Sequence, residues 1–251
     1  VSISANAASM GGSQVYLKEG EQMNLEDLLK SVVIASANDA AVALAIYCGG
    51  TVEGFAQLMN DKAHRLGLLN THFENPNGLD SPGHYSTAED LAKLTAYAMK
   101  NPIFAKTVST KSITIGTRSL RNHNKLLWTL EGADGVKTGF TKAAGRILVS
   151  SATRQGRRLI CVTMDAPNDW TDHKTLIEDG FIRYMPQKIV TSGDCLGSVQ
   201  IAGGRESSVE LLANNDFSQY LAFLGPEDEP IPDEWYSDAL GIVLDSATTS
   251  R

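Results

Sequence analysis

Apolar residues recur at the spacing of an α-helix between residues 24 and 47. Asn24, with Asp27 three positions later, is typical of a helix N-cap, and leucines and valines mark one face of the helix that follows. The pattern pauses at the polar positions Ser36 and Asn38, resumes at Asp39 and closes at a pair of glycines. It predicts two packed helices, with a Ser-x-Asn segment at the end of the pair.

Similar periodicity predicts helices at residues 52–66, 87–100 and 170–184. Ser86, three residues before Glu89, is typical of a capping box for the second of these helices, which Asn101-Pro102 is expected to end. Alternating patterns predict strands at residues 14–18, 111–115, 136–139, 147–153 and 157–164. The last three strands are expected to be adjacent and antiparallel. The predicted fold class is therefore mixed α/β, with helices packed on an antiparallel sheet.

The character of the chain changes after residue 185. Short β-like runs at residues 188–190, 197–201 and 208–212 alternate with glycine-rich turns. This predicts a small all-β domain at residues 186–251, after a first domain at residues 1–185. Residues 227–238 hold six acidic side chains and no basic one, a composition typical of a solvated loop.

Composition narrows the classes of function. The net charge of −7 and the lack of a basic stripe argue against nucleic acid as a partner. No apolar run is long enough to cross a bilayer. The three cysteines are far apart; Cys48, at the end of an apolar helix, and Cys161, in an apolar strand, are interpreted as buried free thiols. Neither they nor the histidines have metal-ligand spacing, so we expect no metal and no cofactor.

The first residues carry neither an initiator methionine nor the pattern of a signal peptide. We therefore expect the sequence to be a fragment of a longer protein or a processed form of it.

Lys137, Thr138 and Gly139 follow a predicted turn at Asp134-Gly135 and lie on a predicted strand. Gly139 has no side chain, so the backbone of a ligand can lie close to it. Lys137 offers a positive charge and Thr138 a hydroxyl beside that bare position. Such a strand edge suits an extended peptide that ends in a carboxylate.

Ser36-x-Asn38, followed about a hundred residues later by Lys137-Thr138-Gly139, resembles the penicillin-recognising serine enzymes. Within that group the chain is most similar to the D-alanyl-D-alanine carboxypeptidases, the low-molecular-weight penicillin-binding proteins. The similarity extends over residues 11–17, 35–41, 77–80, 122–127, 134–139 and 169–173. It covers residues 1 to about 185, and the β-rich remainder is similar to the C-terminal domain of many members. The resemblance implies a β-lactamase/transpeptidase-like fold.

In that family a serine is the nucleophile and a lysine one helical turn later accepts its proton, which gives the motif Ser-x-x-Lys. No serine of this sequence has a lysine three residues on. We expect the motif to lie upstream of Val1, and the chain as given to be inactive.

The resemblance implies roles for the remaining residues. Ser36, together with Lys137 and the lysine of the missing Ser-x-x-Lys motif, would relay a proton to the leaving D-alanine amine, and Asn38 would hold the amide carbonyl of the substrate. Lys137 and Thr138 would bind the terminal carboxylate, or the carboxylate of a β-lactam. The backbone N–H of Phe140 would form part of the oxyanion hole.

Simpler interpretations stand beside these roles. Without the resemblance, Ser36 is equally typical of a helix cap, Asn38 of an N-cap and Lys137 of a surface lysine.

Three further residues have weaker signals. His123 could line the cleft, but the simpler interpretation is a structural histidine. His173 lies at the start of a predicted helix, where a capping or packing role is expected. Arg146, at the start of a strand, could help to bind a carboxylate.

The implied function is a serine-type D-alanyl-D-alanine carboxypeptidase that removes the terminal D-Ala of peptidoglycan stem peptides through an acyl-enzyme. Its partners would be the stem peptide and β-lactam antibiotics, with a membrane surface reached through a missing C-terminal anchor. Its location would be the extracellular face of the bacterial cytoplasmic membrane or the cell wall, after export. Two alternatives are a β-lactamase of the same fold, which the β-rich extension disfavours, and a non-catalytic peptidoglycan-binding homologue.

Overall fold

The computed structural model of the protein describes residues 1–200, 202 and 207–222. These residues fall into two compact units, residues 1–177 and residues from 178 onward. The helices of the first unit are α1 (Ala5–Ala8), α2 (Leu25–Ala35), α3 (Asn38–Gly49), α4 (Val52–Arg65), α5 (Ala88–Ala98), α6 (Pro102–Val108) and α7 (Leu126–Thr129). Its strands are β1 (Ser112–Ile115), β2 (Arg118–Arg121), β3 (Ala133–Thr141), β4 (Gly145–Arg154) and β5 (Arg157–Met164). Helix α8 (Asp169–Arg183) begins in this unit and ends in the second.

Helix α2 begins where the sequence predicts. The side chain of Asn24 caps it by accepting a hydrogen bond from the N–H of Asp27 at 2.8 Å. Helix α2 ends at Ala35, and α3 begins at Asn38. The pause in the apolar pattern is therefore a sharp junction between two helices.

Strands β3, β4 and β5 form an antiparallel sheet in that order, which confirms the predicted hairpin and its neighbouring strand. Lys137, Thr138 and Gly139 of β3 pair with Val149, Leu148 and Ile147 of β4. Among the described residues no strand pairs with the other side of β3. The backbone groups on that side are open to an added strand.

Buried apolar side chains join α2 to the sheet. Val33 of α2 belongs to one cluster with Val136 of β3 and Val149 of β4. Full burial of a valine stabilises the fold by roughly 1.5–3 kcal/mol. Leu28 and Ile34 of α2 belong to a second cluster, which also holds residues of α3 and of the segment before α2. Because α2 packs on two sides, its end is fixed relative to β3.

Residues 14–18 form no strand, and that prediction is wrong. Val15 and Leu17 are buried, as an alternating strand requires, but Tyr16 between them has a φ of 58°. This left-handed conformation breaks an extended strand.

The region around α5 and α6 corrects two further predictions. Thr87, and not Ser86, caps α5, because its side chain accepts a hydrogen bond from the N–H of Asp90. Helix α5 ends at Ala98, and Asn101 caps the separate helix α6, which has Pro102 at its first turn. The sequence pattern did not predict α6.

His173 is a buried residue of α8, in agreement with the packing role expected for it. Its Nδ1 lies 2.5 Å from Ser150 Oγ of β4, and its Nε2 lies 2.9 Å from Thr163 Oγ1 of β5. Burial lowers the pKa of His173 from 6.5 to about 4, although Asp169 and Asp172 act in the opposite direction. The imidazole is therefore neutral at pH 7 and ties α8 to the sheet through two hydroxyl groups.

This environment predicts a pH-dependent stability. Between pH 6.5 and pH 4 the unfolded chain binds the proton of His173 more readily than the folded chain. The free energy of unfolding should therefore decrease as the pH is lowered from 6.5 to 4, by up to about 1.4 kcal/mol per pH unit from this group. In urea unfolding, His173→Asn should lower stability at pH 7 and flatten the dependence below pH 6.5, whereas His64→Asn at an exposed position should do neither. If His173→Asn keeps the pH dependence of the unmodified protein below pH 6.5, that dependence does not come from His173.

The described part of the second unit contains strands β6 (Tyr184–Val190), β7 (Cys195–Gln200), β8 (Ser208–Leu212) and β9 (Phe217–Ala222). Strand β6 pairs with β9 and β7 pairs with β8, both antiparallel. The β-character predicted beyond residue 185 is present in these residues. The domain boundary after residue 185 stays a prediction, and the acidic stretch at residues 227–238 lies outside the described residues.

The cysteines correct one expectation. Cys48, Cys161 and Cys195 are free thiols, and Cys195 is exposed; Cys48 is also exposed, so the prediction that it is buried is wrong. Cys161 is half-buried, and this burial, helped by Asp172, raises the pKa of its thiol to about 11. It is therefore protonated and unreactive at neutral pH.

No single helix among the described residues is long and apolar enough to span a membrane; α3 and α4 together have that length and apolar character, but the pair is bent by 80°. No group of three or more histidine, cysteine or acidic side chains in the same residues could hold a metal ion.

Candidate active site

Ser36 occupies the C-cap of α2 with φ 56° and ψ 38°, in the left-handed region. Its backbone N–H donates to the carbonyl of Ser31 and so closes the last turn. This conformation costs a residue other than glycine roughly 1–2 kcal/mol. Ser36 is therefore a helix cap, as one interpretation of the sequence holds, and its hydroxyl also contacts the side chain of Lys137, as the other interpretation requires.

Lys137 reaches across from β3 to the end of α2. Its Nζ donates to Ser36 Oγ at 2.7 Å and to the carbonyl of Thr138 at 2.7 Å. Among the described residues no carboxylate pairs with it. Burial without a counter-charge lowers the pKa of Lys137 from 10.5 to about 8. Lys137 is therefore not a surface lysine, and it is poised to exchange a proton near neutral pH.

Asn38 is the first residue of α3, and the N-cap position belongs to Ala37, which makes no side-chain cap bond. The N-cap alternative for Asn38 is therefore wrong. Its Nδ2 donates to the carbonyl of Gly11 at 2.8 Å, and its backbone N–H donates to the carbonyl of Ser13 at 2.7 Å. A Cβ at Gly12, which has a φ of 80°, would lie 2.8 Å from Asn38 Nδ2, so this position requires glycine.

Asp39 supports this junction from inside and was not singled out in the sequence. Its side chain is fully buried and accepts hydrogen bonds from the N–H groups of Val15, Leu17 and Ala40 at 2.9–3.2 Å. The sequence feature that could have pointed to Asp39 is its place as an acidic residue at the start of an apolar helix. The carboxylate fixes the segment that supplies the hydrogen-bond acceptors of Asn38.

Thr138, Gly139 and Phe140 continue along the open edge of β3. Thr138 is half-buried, Gly139 is exposed, and the side chain of Phe140 is 70% exposed. A Cβ at Gly139 would approach only Ile147, at 3.7 Å, which is ordinary van der Waals contact. The fold therefore does not require glycine at this position.

His123 lies between two buried asparagines that hold its loop. Asn122 Nδ2 donates to the carbonyl of Thr110, and Asn124 Nδ2 donates to the carbonyl of Gly135 on β3. His123 itself is exposed and lines a cavity, which corrects its interpretation as a structural histidine. Partial burial and the charge of Lys137 both lower the pKa of His123. Its imidazole therefore senses the charge of the candidate site.

Arg146 binds a carboxylate, but this carboxylate belongs to a side chain of the protein itself and not to a ligand. Its Nη2 and Nε donate to the carboxylate of Asp169 at 2.8–3.1 Å, and the side chain of Asp169 is 3% exposed. A buried carboxylate paired in this way fixes the guanidinium. Arg146 therefore has a structural role at the start of α8, in place of the carboxylate-ligand role that the sequence suggested.

The sequence profile of the D-alanyl-D-alanine carboxypeptidase family matches residues 1–168. The chain belongs to this family. D-alanyl-D-alanine carboxypeptidase DacF of Bacillus subtilis is 36% identical over 226 residues, which are 87% of this chain and 58% of that relative. The chain thus spans little more than half the length of this carboxypeptidase.

Solved structures of penicillin binding proteins share the fold. Penicillin binding protein 5 from Haemophilus influenzae aligns with a TM-score of 0.76 and 34% identity, over 88% of this chain and 67% of that structure. Penicillin binding protein 6B from Escherichia coli aligns with a TM-score of 0.74 and 33% identity, over 88% and 68%. These similarities confirm the predicted fold class, a mixed α/β fold with helices on an antiparallel sheet.

The carboxypeptidase fold of this chain brings together side chains of complementary chemistry. A hydroxyl and an ammonium group of lowered pKa share a hydrogen bond, and an amide lies two residues from the hydroxyl. Next to them runs an edge of β3 with which no strand among the described residues pairs. Such a set can pass a proton along, bind a carboxylate and align an extended peptide.

Proposed function

We propose that the protein is a serine-type D-alanyl-D-alanine carboxypeptidase. It removes the terminal D-Ala from peptidoglycan stem peptides through an acyl-enzyme and is acylated by β-lactams. The observation that carries the proposal is the 2.7 Å hydrogen bond between Lys137 Nζ and Ser36 Oγ, two residues 101 positions apart. In a member of this family, that contact joins the two motifs on which the resemblance rests.

In this proposal Ser36 passes a proton to the amine of the departing D-alanine. Its Oγ accepts from the ammonium of Lys137, so its own proton is free to be donated to the leaving group. The pKa of Lys137, lowered to about 8 by burial, allows this lysine to restore the proton at neutral pH. The nucleophile and its base come from a Ser-x-x-Lys segment, which residues 1–251 do not contain.

The edge of β3 binds the substrate as an added strand. Lys137 and Thr138 hold the carboxylate of the terminal D-Ala, or that of a β-lactam, through a charge and a hydroxyl. Asn38 holds the carbonyl of the preceding amide. The N–H of Phe140 stabilises the oxyanion, a contribution worth roughly 3–4 kcal/mol per donor.

Gly139 gives a direct test of the strand edge. In Gly139→Ala the new methyl group has room inside the protein, so the free energy of unfolding should change by less than about 0.5 kcal/mol. The rate of acylation by penicillin should fall roughly tenfold or more, because the methyl group disturbs the close approach of the ligand. Stopped-flow acylation and urea unfolding measure the two effects. An unchanged acylation rate would place the ligand elsewhere.

We also infer that the protein acts outside the cytoplasm, at the cell wall, where its substrate is located. Residues 1–185 form the catalytic domain in this proposal, together with the nucleophile segment, and residues 186–251 form a β-rich domain. A C-terminal segment would attach the protein to the membrane surface.

The test uses protein expressed from the complete coding sequence. It is incubated with diacetyl-Lys-D-Ala-D-Ala and, separately, with a fluorescent penicillin. Release of D-alanine and a long-lived penicillin adduct would support the proposal. Steady hydrolysis of penicillin would instead indicate a β-lactamase, and peptide binding with neither reaction would indicate a non-catalytic binding protein.

A further inference from the structure

The start of β3 departs from a regular strand shortly before Lys137. Ala133 and Gly135 pair with consecutive residues of β4, so Asp134 between them is an extra residue without a partner in that strand. An extra residue of this kind is a β-bulge, which bends its strand and changes the direction of nearby side chains. The direction in which Lys137 leaves β3 therefore depends on what fixes this bulge.

The carboxylate of Asp134 supplies contacts that the interrupted ladder lacks. Its Oδ1 accepts a hydrogen bond from Ser151 Oγ and its Oδ2 accepts one from Thr153 Oγ1, both at 2.6 Å and both from β4. The guanidinium of Arg158 on β5 lies against Oδ2, with Nε at 3.1 Å and Nη2 at 3.0 Å. Arg158 also donates to the carbonyl of Met99 at the end of α5. One carboxylate thus ties the bulge to two strands and, through the arginine, to a helix.

Asn124 fixes the residue that follows the bulge. Its side chain is fully buried, and its Nδ2 donates to the carbonyl of Gly135 at 2.6 Å. Its Oδ1 accepts the N–H of Leu126, the first residue of α7, at 3.0 Å. The backbone of β3 is therefore held by the segment before α7 as well as by its own sheet, two residues before Lys137.

The ammonium group of Lys137 follows the backbone of β3 closely. Besides Ser36 Oγ, its Nζ contacts the carbonyl of Thr138, the next residue of the same strand, at 2.7 Å. The side chain thus folds back over β3, and a shift of the strand moves Nζ with it. In enzymes, a displacement of about 1 Å in a reacting group can lower the rate roughly a hundredfold.

We propose that Asp134 and Asn124 are positioning residues for the reaction. By fixing the bulge at the start of β3, they keep Nζ of Lys137 on the hydroxyl group of Ser36, and neither of them has to touch the substrate. The expected effect on the rate rests on the proposed function, but the position of Lys137 can be measured without any reaction.

The first test follows the titration of Lys137 itself, on protein expressed from the complete coding sequence with isotope-labelled lysine. Its side-chain NMR signal is assigned with Lys137→Met. In the unmodified protein the signal should report a pKa of about 8. In Asp134→Ala and Asn124→Ala the displaced ammonium group regains water, so its pKa should rise toward 10.5. A purely structural role would lower the denaturation midpoint and leave this pKa unchanged in the folded molecules.

The second test measures acylation by a fluorescent penicillin at a temperature where the variants are folded. Both alanine variants should lose about a hundredfold in rate per folded molecule, and the pH above which the rate declines should rise with the pKa of Lys137. Asp134→Asn should restore most of the rate, because its amide can still bond both hydroxyl groups of β4. Asp179→Ala removes an exposed carboxylate paired with Arg183 on α8; it is the matched control and should change neither quantity.

Thr153→Val is a milder variant for the case that the alanine variants do not fold. It removes one hydroxyl donor with little change of shape, and it should change the rate and the pKa of Lys137 in the same direction by a smaller factor. A parental pKa and a parental rate in every variant that folds would overturn the positioning role. If the unmodified protein does not react with penicillin, the proposed function fails, whereas the titration still decides the role of Asp134 and Asn124.

Discussion

Lys137→Met is expected to slow acylation by penicillin roughly a thousandfold or more without lowering the free energy of unfolding at pH 7. The substitution removes the one side chain among the described residues that donates a hydrogen bond to Ser36 Oγ. General acid–base catalysis contributes roughly 10²–10⁴-fold, and a charge that stabilises a developing anion contributes a similar factor. Acylation is measured by stopped flow with a fluorescent penicillin, on protein expressed from the complete coding sequence.

The stability of this variant follows from the burial of the ammonium. A pKa lowered from 10.5 to about 8 means that the folded state disfavours the charged lysine by about 3 kcal/mol. Methionine has similar length and no charge, so it avoids that cost while it retains the packing of the stem. A large loss of stability in urea unfolding would show that the hydrogen bonds of Lys137 outweigh its desolvation.

The same burial sets a pH dependence. The folded pKa lies below the unfolded value, so between pH 8 and pH 10.5 the unfolded chain binds more protons. The contribution of this group to stability therefore rises with pH in that window. Carboxylate binding should weaken as pH rises through about 8, because the ammonium form disappears. Lys142→Met, at an exposed lysine just beyond β3, should show neither effect. Acylation at the parental rate in Lys137→Met would remove Lys137 from the mechanism.

Asp39→Ala is expected to lower the free energy of unfolding by about 3 kcal/mol or more. The buried carboxylate satisfies the N–H groups of Val15, Leu17 and Ala40. Each buried donor left without a partner costs roughly 1–3 kcal/mol. Asp61→Ala, on the exposed surface of α4, is the matched control and should change stability by less than about 0.5 kcal/mol. Urea unfolding at pH 7 measures both variants.

Asp39→Asn tests whether the negative charge of Asp39, and not only the shape of its side chain, stabilises the fold. The amide has one acceptor oxygen in place of two, and its NH₂ group faces a backbone N–H. We expect a loss of stability close to that of alanine, together with slower acylation, because the segment that holds Asn38 becomes mobile. If Asp39→Asn keeps the parental stability, one oxygen suffices for all three donors.

The helix and strand pattern predicted most of what positions the candidate site. Apolar periodicity located α2 and α3, and alternation located β4 and β5, because burial repeats with the period of each element. The polar pause at Ser36 and Asn38 was visible for the same reason. That Ser36 and Lys137 touch followed only from the family resemblance, since no local pattern links residues so far apart in sequence.

The sequence predictions that the structure corrects concern segments where tertiary contacts override the local conformational preference. Residues 14–18 alternate like a strand, but hydrogen bonds from Asp39 and Arg118 force Tyr16 to positive φ. Asp39 itself looked like an ordinary polar residue at a helix start. The exposure of His123 depends on two neighbouring asparagines that turn inward, which the sequence around it does not reveal. Local conflicts of this kind are expected at functional sites.

The contact between Ser36 and Lys137 also constrains how the protein assembles. It closes a loop of 101 residues, and each side belongs to a different layer, one helical and one of strands. Contacts of such sequence separation form late, because the chain between them must be ordered first. Penicillin labelling would therefore report the completion of folding: a molecule with both layers formed but not yet docked would have native secondary structure and no capacity to react.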